Sequence, residues 1–219
     1  MQPVYPLVFD SFQSRLVPAG VMDELWKGGW RHFGPEFFRY SISMENDKPQ
    51  VVQPLRVALD RFVPSKSQRR LLRGNADLQV SIERPVLDDA HHALFHRHKA
   101  RFETNVPDSL TNFLGCNLEE YPCELVEMAL YENGRMIAAS YLDLGCEGAS
   151  SVYAMFEPSH EQRRPGIATM LYEIAYATQR GCKYYYPGYA FHEPSALDYK
   201  KQFRGMEWFD WNGRWMELR

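Results

Sequence analysis

No cysteine precedes position 116, and the four that follow, Cys116, Cys123, Cys146 and Cys182, form no Cys-x-x-Cys pair. Thiols so scattered give no disulfide framework and read as reduced residues of a cytoplasmic protein. No run approaches eighteen apolar residues, which leaves no candidate for a membrane-spanning helix. The start, Met1-Gln2-Pro3-Val4-Tyr5-Pro6, has neither a basic flank nor a long apolar stretch, so secretion is not expected. An excess of positive charge is also missing: the formal net charge is −3. Affinity for a polyanion must therefore come from a local patch. No internal repeat or low-complexity tract occurs.

What is present suits one compact domain with a smaller appendage, or two small domains sharing an interface. Of 219 residues, 45% are hydrophobic and 24% charged, enough for a sizeable core. Residues 1–40 are rich in aromatics, glycine and proline, with one short helix expected around Met22–Lys27. Residues 51–63 alternate and read as strand, broken by Pro54. A helical run follows from Gln68, with serine ahead of it as an N-cap. Val86 to Arg101 places Val86, Leu87, Ala90, Leu94 and Phe95 at helical spacing, with Asp88 and Asp89 at its start and Lys99 and Arg101 at its end to suit the helix dipole. A second short helix is expected after Pro107-Asp108-Ser109. Two alternating runs, 125–131 and 136–142, flank Asn133-Gly134 and predict a hairpin with a type I′ turn. A third strand is expected over 150–156, a helix to about Arg180, a strand over 183–189, a short helix near 195–201 and a last hairpin around Asn212-Gly213. This order predicts an α+β, GNAT-like acyltransferase fold with a central, mostly antiparallel sheet. Residues 1–80 form a small N-terminal subdomain in this reading, and residues 81–219 the catalytic domain.

Three clusters bear on chemistry. Arg163-Arg164-Pro165-Gly166-Ile167-Ala168 fits R-x-x-G-x-A, the turn that opens the cofactor helix of acetyl-CoA-dependent GNAT enzymes. A helix N-terminus offers free N–H groups and a positive dipole end to an anion, and glycine lets backbone approach it. Arg163, Arg164, Gly166 and Ala168 are thus candidate phosphate ligands, for coenzyme A pyrophosphate or for an RNA phosphate. Between Arg56 and Arg73 lie Arg56, Arg61, Lys66, Arg69, Arg70 and Arg73, against the single acid Asp60. Such a strip can follow a phosphate backbone; the plain alternative is a solvated helix face. His91, His92, His96 and His98 crowd one helix. His92 and His96 share a face at a spacing that can hold zinc, but no further ligand lies at a convincing spacing, and no metal is expected.

Three blocks together resemble the arginyl-tRNA–protein transferases and their bacterial leucyl-transferring relatives. The first runs Phe62-Val63-Pro64-Ser65-Lys66-Ser67-Gln68-Arg69-Arg70, continued by Arg73, Asn75 and Asp77-Leu78. The second is Ser150-Ser151-Val152-Tyr153 with Glu157-Pro158. The third is Tyr184-Tyr185-Tyr186-Pro187-Gly188-Tyr189 with Tyr199-Lys200 and Phe203-Arg204. Weaker echoes are Gly29-Trp30-Arg31 and Phe95-His96-Arg97-His98. The resemblance implies a GNAT-like catalytic half, an aminoacyl-tRNA donor, and as acceptor a protein or peptide with a free N-terminal amine. It implies Ser65, Lys66, Gln68, Arg69, Arg70, Arg73, Ser151 and Arg204 as contacts to tRNA or substrate. Family members carry N-terminal cysteines that can hold a metal or cluster. Residues 39–56 here have none, so that cofactor is not expected.

An aminoacyl ester is already activated, so alignment and charge stabilisation are the main tasks. A backbone N–H on Ser151–Met155 is the expected oxyanion donor. Tyr153, Tyr186 and Tyr189 are candidates to place the amine or relay a proton, and Lys200 to bind a terminal phosphate or an acidic acceptor side chain. Three alternatives stay open: an acetyl-CoA N-acetyltransferase, a tRNA-dependent enzyme with a small-molecule amine as acceptor, and a non-catalytic RNA-binding module.

Overall fold

The computed structural model describes residues 6–45, 47–103 and 106–218. In chain order the elements are β1 (Phe9–Gln13), α1 (Ala19–Lys27), β2 (Arg31–Phe33), β3 (Glu36–Tyr40), β4 (Ile42–Glu45), β5 (Lys48–Ala58), α2 (Lys66–Gly74), β6 (Gln79–Glu83), α3 (Asp89–Lys99), α4 (Thr111–Leu114), β7 (Glu124–Glu132), β8 (Arg135–Leu144), β9 (Gly148–Phe156), α5 (Pro165–Gln179), β10 (Tyr184–Phe191), β11 (Met206–Phe209) and β12 (Trp215–Glu217). Short 3-10 turns precede β7, α5 and β11.

The expected hairpin is β7–β8. Asn133 and Gly134 both hold positive φ, 51° and 78°, which a type I′ turn requires and which Asn-Gly tolerates best. The helix expected over 86–101 is α3, shortened because Asp88 caps it: its carboxylate accepts from the N–H groups of Ala90 (2.9 Å) and His91 (3.1 Å). Ser65 caps α2 in a reciprocal box with Gln68, accepting from the Gln68 N–H at 3.2 Å while the Gln68 side chain accepts from the Ser65 N–H at 2.8 Å.

Among the described residues two sheets form. A small one, ordered β1-β3-β2, carries the aromatic N-terminal segment. The large one is ordered β12-β11-β5-β10-β9-β8-β7-β6, with β4 paired to β5 outside that path. Every adjacent pair in it is antiparallel except β9 with β10. The segment placed in an N-terminal subdomain therefore supplies β5, an interior strand between β10 and β11, so the boundary near residue 80 is no break in the sheet. Both faces of the sheet are covered. Leu142, Leu144, Ala149 and Tyr185 pack with Met170, Ile174 and Ala177 of α5. Tyr141, Val152 and Met155 pack with Leu94 and Phe95 of α3. Neighbours such as Tyr141 and Leu142 belong to opposite clusters because successive strand residues point to opposite faces. No described helix is long and apolar enough to cross a membrane.

Candidate active site

The single parallel junction is also where the sheet opens. β9 and β10 pair from Gly148↔Tyr184 to Ser150↔Tyr186 and no further, although β9 continues to Phe156 and β10 to Phe191. Two irregularities coincide with the parting. On β10 the register with β5 shifts between Tyr185 and Gly188, across Pro187, which has no N–H to donate. On β9 the register with β8 shifts so that Val152 is the extra residue between Ser151 and Tyr153. A bulge leaves a residue outside the ladder and re-aims its neighbours. The strands thus diverge around a cavity of about 680 Å³, lined by Ser151–Ala154 and Phe156 on one side and by Pro187, Gly188 and Tyr189 on the other.

Two cations converge at the point of divergence. Arg31, buried on β2, donates from its two terminal nitrogens to the Ser150 hydroxyl and the Ser151 carbonyl, clamping β9 just past its last pair with β10. Lys200 donates to the Tyr189 carbonyl at 3.3 Å. Gly188, with φ at 95°, lies between them: a Cβ there would stand 3.4 Å from Lys200 Nζ and 3.6 Å from an Arg31 nitrogen. Burial first, and the Arg31 charge second, push the Lys200 ammonium down to about 8. Because that value lies below the unfolded one, charging Lys200 opposes folding below pH 8, and the penalty disappears as pH rises toward the ordinary lysine value. Lys200→Met is therefore expected to raise stability at pH 7 by on the order of 2 kcal/mol, less than the full shift implies because the Tyr189 carbonyl loses a donor. Denaturant melts of both proteins at neutral and at alkaline pH check this; a destabilised variant at pH 7 contradicts it.

Around this polar floor the walls are aromatic. The small sheet contributes Phe33, Phe38 and Tyr40, and the far side adds Phe102, Tyr153 and Phe156. Tyr189 donates its hydroxyl to the Gly29 carbonyl at 2.7 Å and meets Tyr40 edge-on at 5.3 Å. Tyr153 stacks on Phe113 at 3.9 Å, and its buried hydroxyl has no hydrogen-bond partner among the described residues. Burial raises both phenols. His98 also lines the cavity, and burial, then Arg101, push it down to about 4. It is neutral at physiological pH. Its Nδ1 lies 3.1 Å from the Phe156 nitrogen and 3.2 Å from the Phe156 carbonyl oxygen, which ties the ring to the end of β9.

The residues singled out from the sequence divide. Tyr153, Tyr189, Lys200 and Ser151 meet at the cavity. Tyr186 does not line it. It is buried with Trp26 (5.7 Å) and Trp215 (5.8 Å), beneath α1. Arg164, in the left-handed region at φ 50°, and Gly166 line the cavity mouth. Arg163 pairs instead with Asp77 (2.7 Å) and Glu132 (2.6 Å), and Ala168 is core beside Leu130 and Ile137. Ser65 and Gln68 serve the cap of α2, yet with Ser67 they also line a groove that shares Arg164, Ile167 and Tyr199 with the cavity. The start of α2 is thus adjacent to the mouth. Lys66, Arg69, Arg70 and Arg73 are exposed on it; Arg69 donates to the Pro64 carbonyl, while Lys66, Arg70 and Arg73 have no ion pair among the described residues. Arg56 and Arg61 leave the strip, because both pair with Glu207 and Arg56 lies against the rings of Tyr184 and Trp215. Arg204 is exposed beside Arg61 in a separate depression.

Of the histidines expected on α3, His91 faces Asp88 (2.6 Å) and Glu127 (2.9 Å), and neither His92 nor His96 joins a group of potential metal ligands among the described residues. Such a group forms elsewhere: His32, Cys123 and Asp143, with ligand atoms within 4.8 Å of one another. The Asp143 carboxylate accepts from Tyr121 (2.9 Å) and lies 2.8 Å from His32 Nε2. Two strands, β2 and β8, and the loop before β7 supply these residues, so no spacing in the sequence could reveal them.

An antiparallel sheet parted at one parallel junction, beside a helix that opens toward the gap, defines a GNAT-like fold. Solved structures agree in fold: FemX superposes with a TM-score of 0.56 at 11% identity, over 92% of this chain and 70% of that one. A GCN5-related glucosamine N-acetyltransferase region of a fungal β-N-acetylglucosaminidase gives 0.50 at 15% identity, over 86% of this chain and 21% of that one. The profile of the arginine-tRNA–protein transferase C terminus matches residues 90–210. Relatives named aspartate/glutamate leucyltransferase include one from Pseudomonas entomophila, 31% identical over 94% of this chain and 86% of its own, and one from Leptospira interrogans, 32% identical over 83% and 71%. The chain belongs to the arginine-tRNA–protein transferase family, and is an aminoacyltransferase that moves an amino acid from tRNA to an amine.

Proposed function

We propose that the cavity takes the 3′ end of leucyl-tRNA and passes leucine to the α-amine of a protein that begins with aspartate or glutamate. The observation that carries this reading is the meeting of Arg31 and Lys200 at Gly188, inside an aromatic-walled cavity whose mouth adjoins the arginine-bearing face of α2. Aromatic walls suit an aliphatic side chain and exclude water that would hydrolyse the ester. A cation at the floor suits an acidic acceptor side chain. Arg70 and Arg73 suit phosphates further along the RNA, with Arg164 and the N-terminus of α5 nearer the ester. The bulge at Val152 leaves backbone outside the ladder, and an N–H there would receive the oxyanion. A free α-amine is roughly a tenth neutral at pH 7, enough to begin attack. An acetyl-CoA reading is weakened because Arg163, the first residue of its motif, is already held by two carboxylates.

Binding of leucyl-tRNA to the Arg70→Ala/Arg73→Ala variant, measured over a range of salt, tests the electrostatic half. The expected result is a slope of log K against log salt shallower by about 1.5 to 2, with transfer at saturating tRNA little changed. An unchanged slope would remove α2 from the tRNA surface.

A further inference from the structure

Directly beneath the cavity floor lies a carboxyl group that packing does not call for. Glu173 is fully buried on the face of α5 that otherwise carries Met170, Ile174 and Ala177. It takes part in no ion pair among the described residues. One oxygen accepts from the Tyr185 hydroxyl at 2.5 Å; the other accepts from the Ser151 hydroxyl at 3.4 Å. Burying a carboxyl that makes no direct ion pair is costly, and an apolar side chain at this position would be more stable. Ser151 lines the cavity, so its hydroxyl joins the buried acid to the space where the ester and amine meet.

We propose that Glu173, acting through the Ser151 hydroxyl, takes the proton that the attacking amine must lose. The inference rests on the cavity being the transfer site. The amine lone pair attacks the ester carbonyl carbon and a C–N bond forms. The nitrogen gives a proton to Ser151 Oγ, whose own proton passes to Glu173. As the C–O bond to ribose breaks, the proton returns along the same path to the leaving oxygen, and the carboxylate is restored. Ester and amine become amide and alcohol, with no other reactant. Glu173 touches neither substrate: it orients the serine hydroxyl and stores the proton.

The surroundings suit a group that gains and loses a proton near neutrality. Burial pushes Glu173 up to about 7, opposed by the hydroxyls of Tyr185 on β10, Ser140 on β8 and Ser151 on β9, and by Arg31 on β2. Lys200 and Tyr199, from the turn after β10, feel its charge in return.

Single-turnover transfer from leucyl-tRNA to a peptide with N-terminal glutamate, followed from about pH 5.5 to 8.5, tests the relay. Glu173→Gln preserves shape and is expected to slow transfer about 10- to 100-fold above neutrality and to remove one titration from the acid limb. The titration of the substrate amine remains. Ser151→Ala should do the same, the double variant should be no slower than either single one, and Ser151→Thr, which keeps the hydroxyl, should recover most of the rate. A Glu173→Gln enzyme with the wild-type rate and pH profile overturns the proposal, as does a Ser151→Thr enzyme no faster than Ser151→Ala. Ala154→Trp, which fills the cavity, separates the two levels. Wild-type transfer by that variant defeats the cavity itself; its inactivity beside an unaltered Glu173→Gln profile defeats only the relay.

Discussion

Arg31→Ala is expected to reduce transfer by about a hundredfold or more, the scale seen when one preorganised donor is removed from a site where charge develops. The guanidinium forks onto the Ser150 hydroxyl and the Ser151 carbonyl, and it supplies half of the positive charge beside Gly188. Truncation frees β9 where it leaves β10 and deprives the acceptor's carboxylate of a partner. Arg31→Lys should recover little, because one ammonium cannot reproduce a planar two-nitrogen fork. Steady-state transfer to a Glu-initiated peptide, read beside the melting temperature, is the measurement. An Arg31→Ala enzyme within threefold of wild type, a rough limit of noise, would detach the guanidinium from the site.

The largest expected loss of stability falls on a residue that never approaches the cavity. Asp23, buried on α1, accepts from the backbone N–H groups of Cys146, Glu147 and Gly148, each at 2.9 Å. It pins the turn between β8 and β9, and so the first residue of β9 that pairs with β10. Asp23→Ala leaves three donors without a partner and should cost about 3 kcal/mol. In a chain of this size that lowers Tm by about 6 to 12 °C. Asp23→Asn, which offers one acceptor oxygen instead of two, should fall between. Calorimetry decides, and a shift of only about 2 °C for the alanine variant would contradict this role.

Much of the fold was legible in the sequence because local chemistry and tertiary position agree there. Asn133-Gly134 demanded a tight hairpin, Asp88 announced the start of α3, and the apolar spacing after Pro165 announced α5. The candidate site was legible in part. Lys200, Tyr189, Tyr153 and Ser151 stood within motifs, and the structure gathers them at one cavity. Tyr186 stood in the same motif as Tyr189 but packs with Trp26 and Trp215, and the register shift between Tyr185 and Gly188 separates the two along β10. Arg31 reaches Ser150 across 119 residues, a relation that no local pattern carries. Glu173 did leave a signal: it stands three residues after Met170 and four before Ala177, an acid on the apolar stripe of a helix. Arg163 and Ala168 matched a pattern of phosphate ligands while serving an ion pair and the core, since a six-residue turn can open a helix for either purpose.

The position of β5 bears on how the molecule assembles. Beyond the stretch that pairs with β4, its partners are β10 and β11, so residues 52–58 wait unpaired on those sides until residues 184–208 have been made. The sheet cannot close while synthesis is under way. Such distant pairing slows folding and leaves strand edges open to other chains. A fragment beginning near residue 81 would lack this staple altogether, leaving one edge of β10 bare and Tyr185 without Val57 across from it.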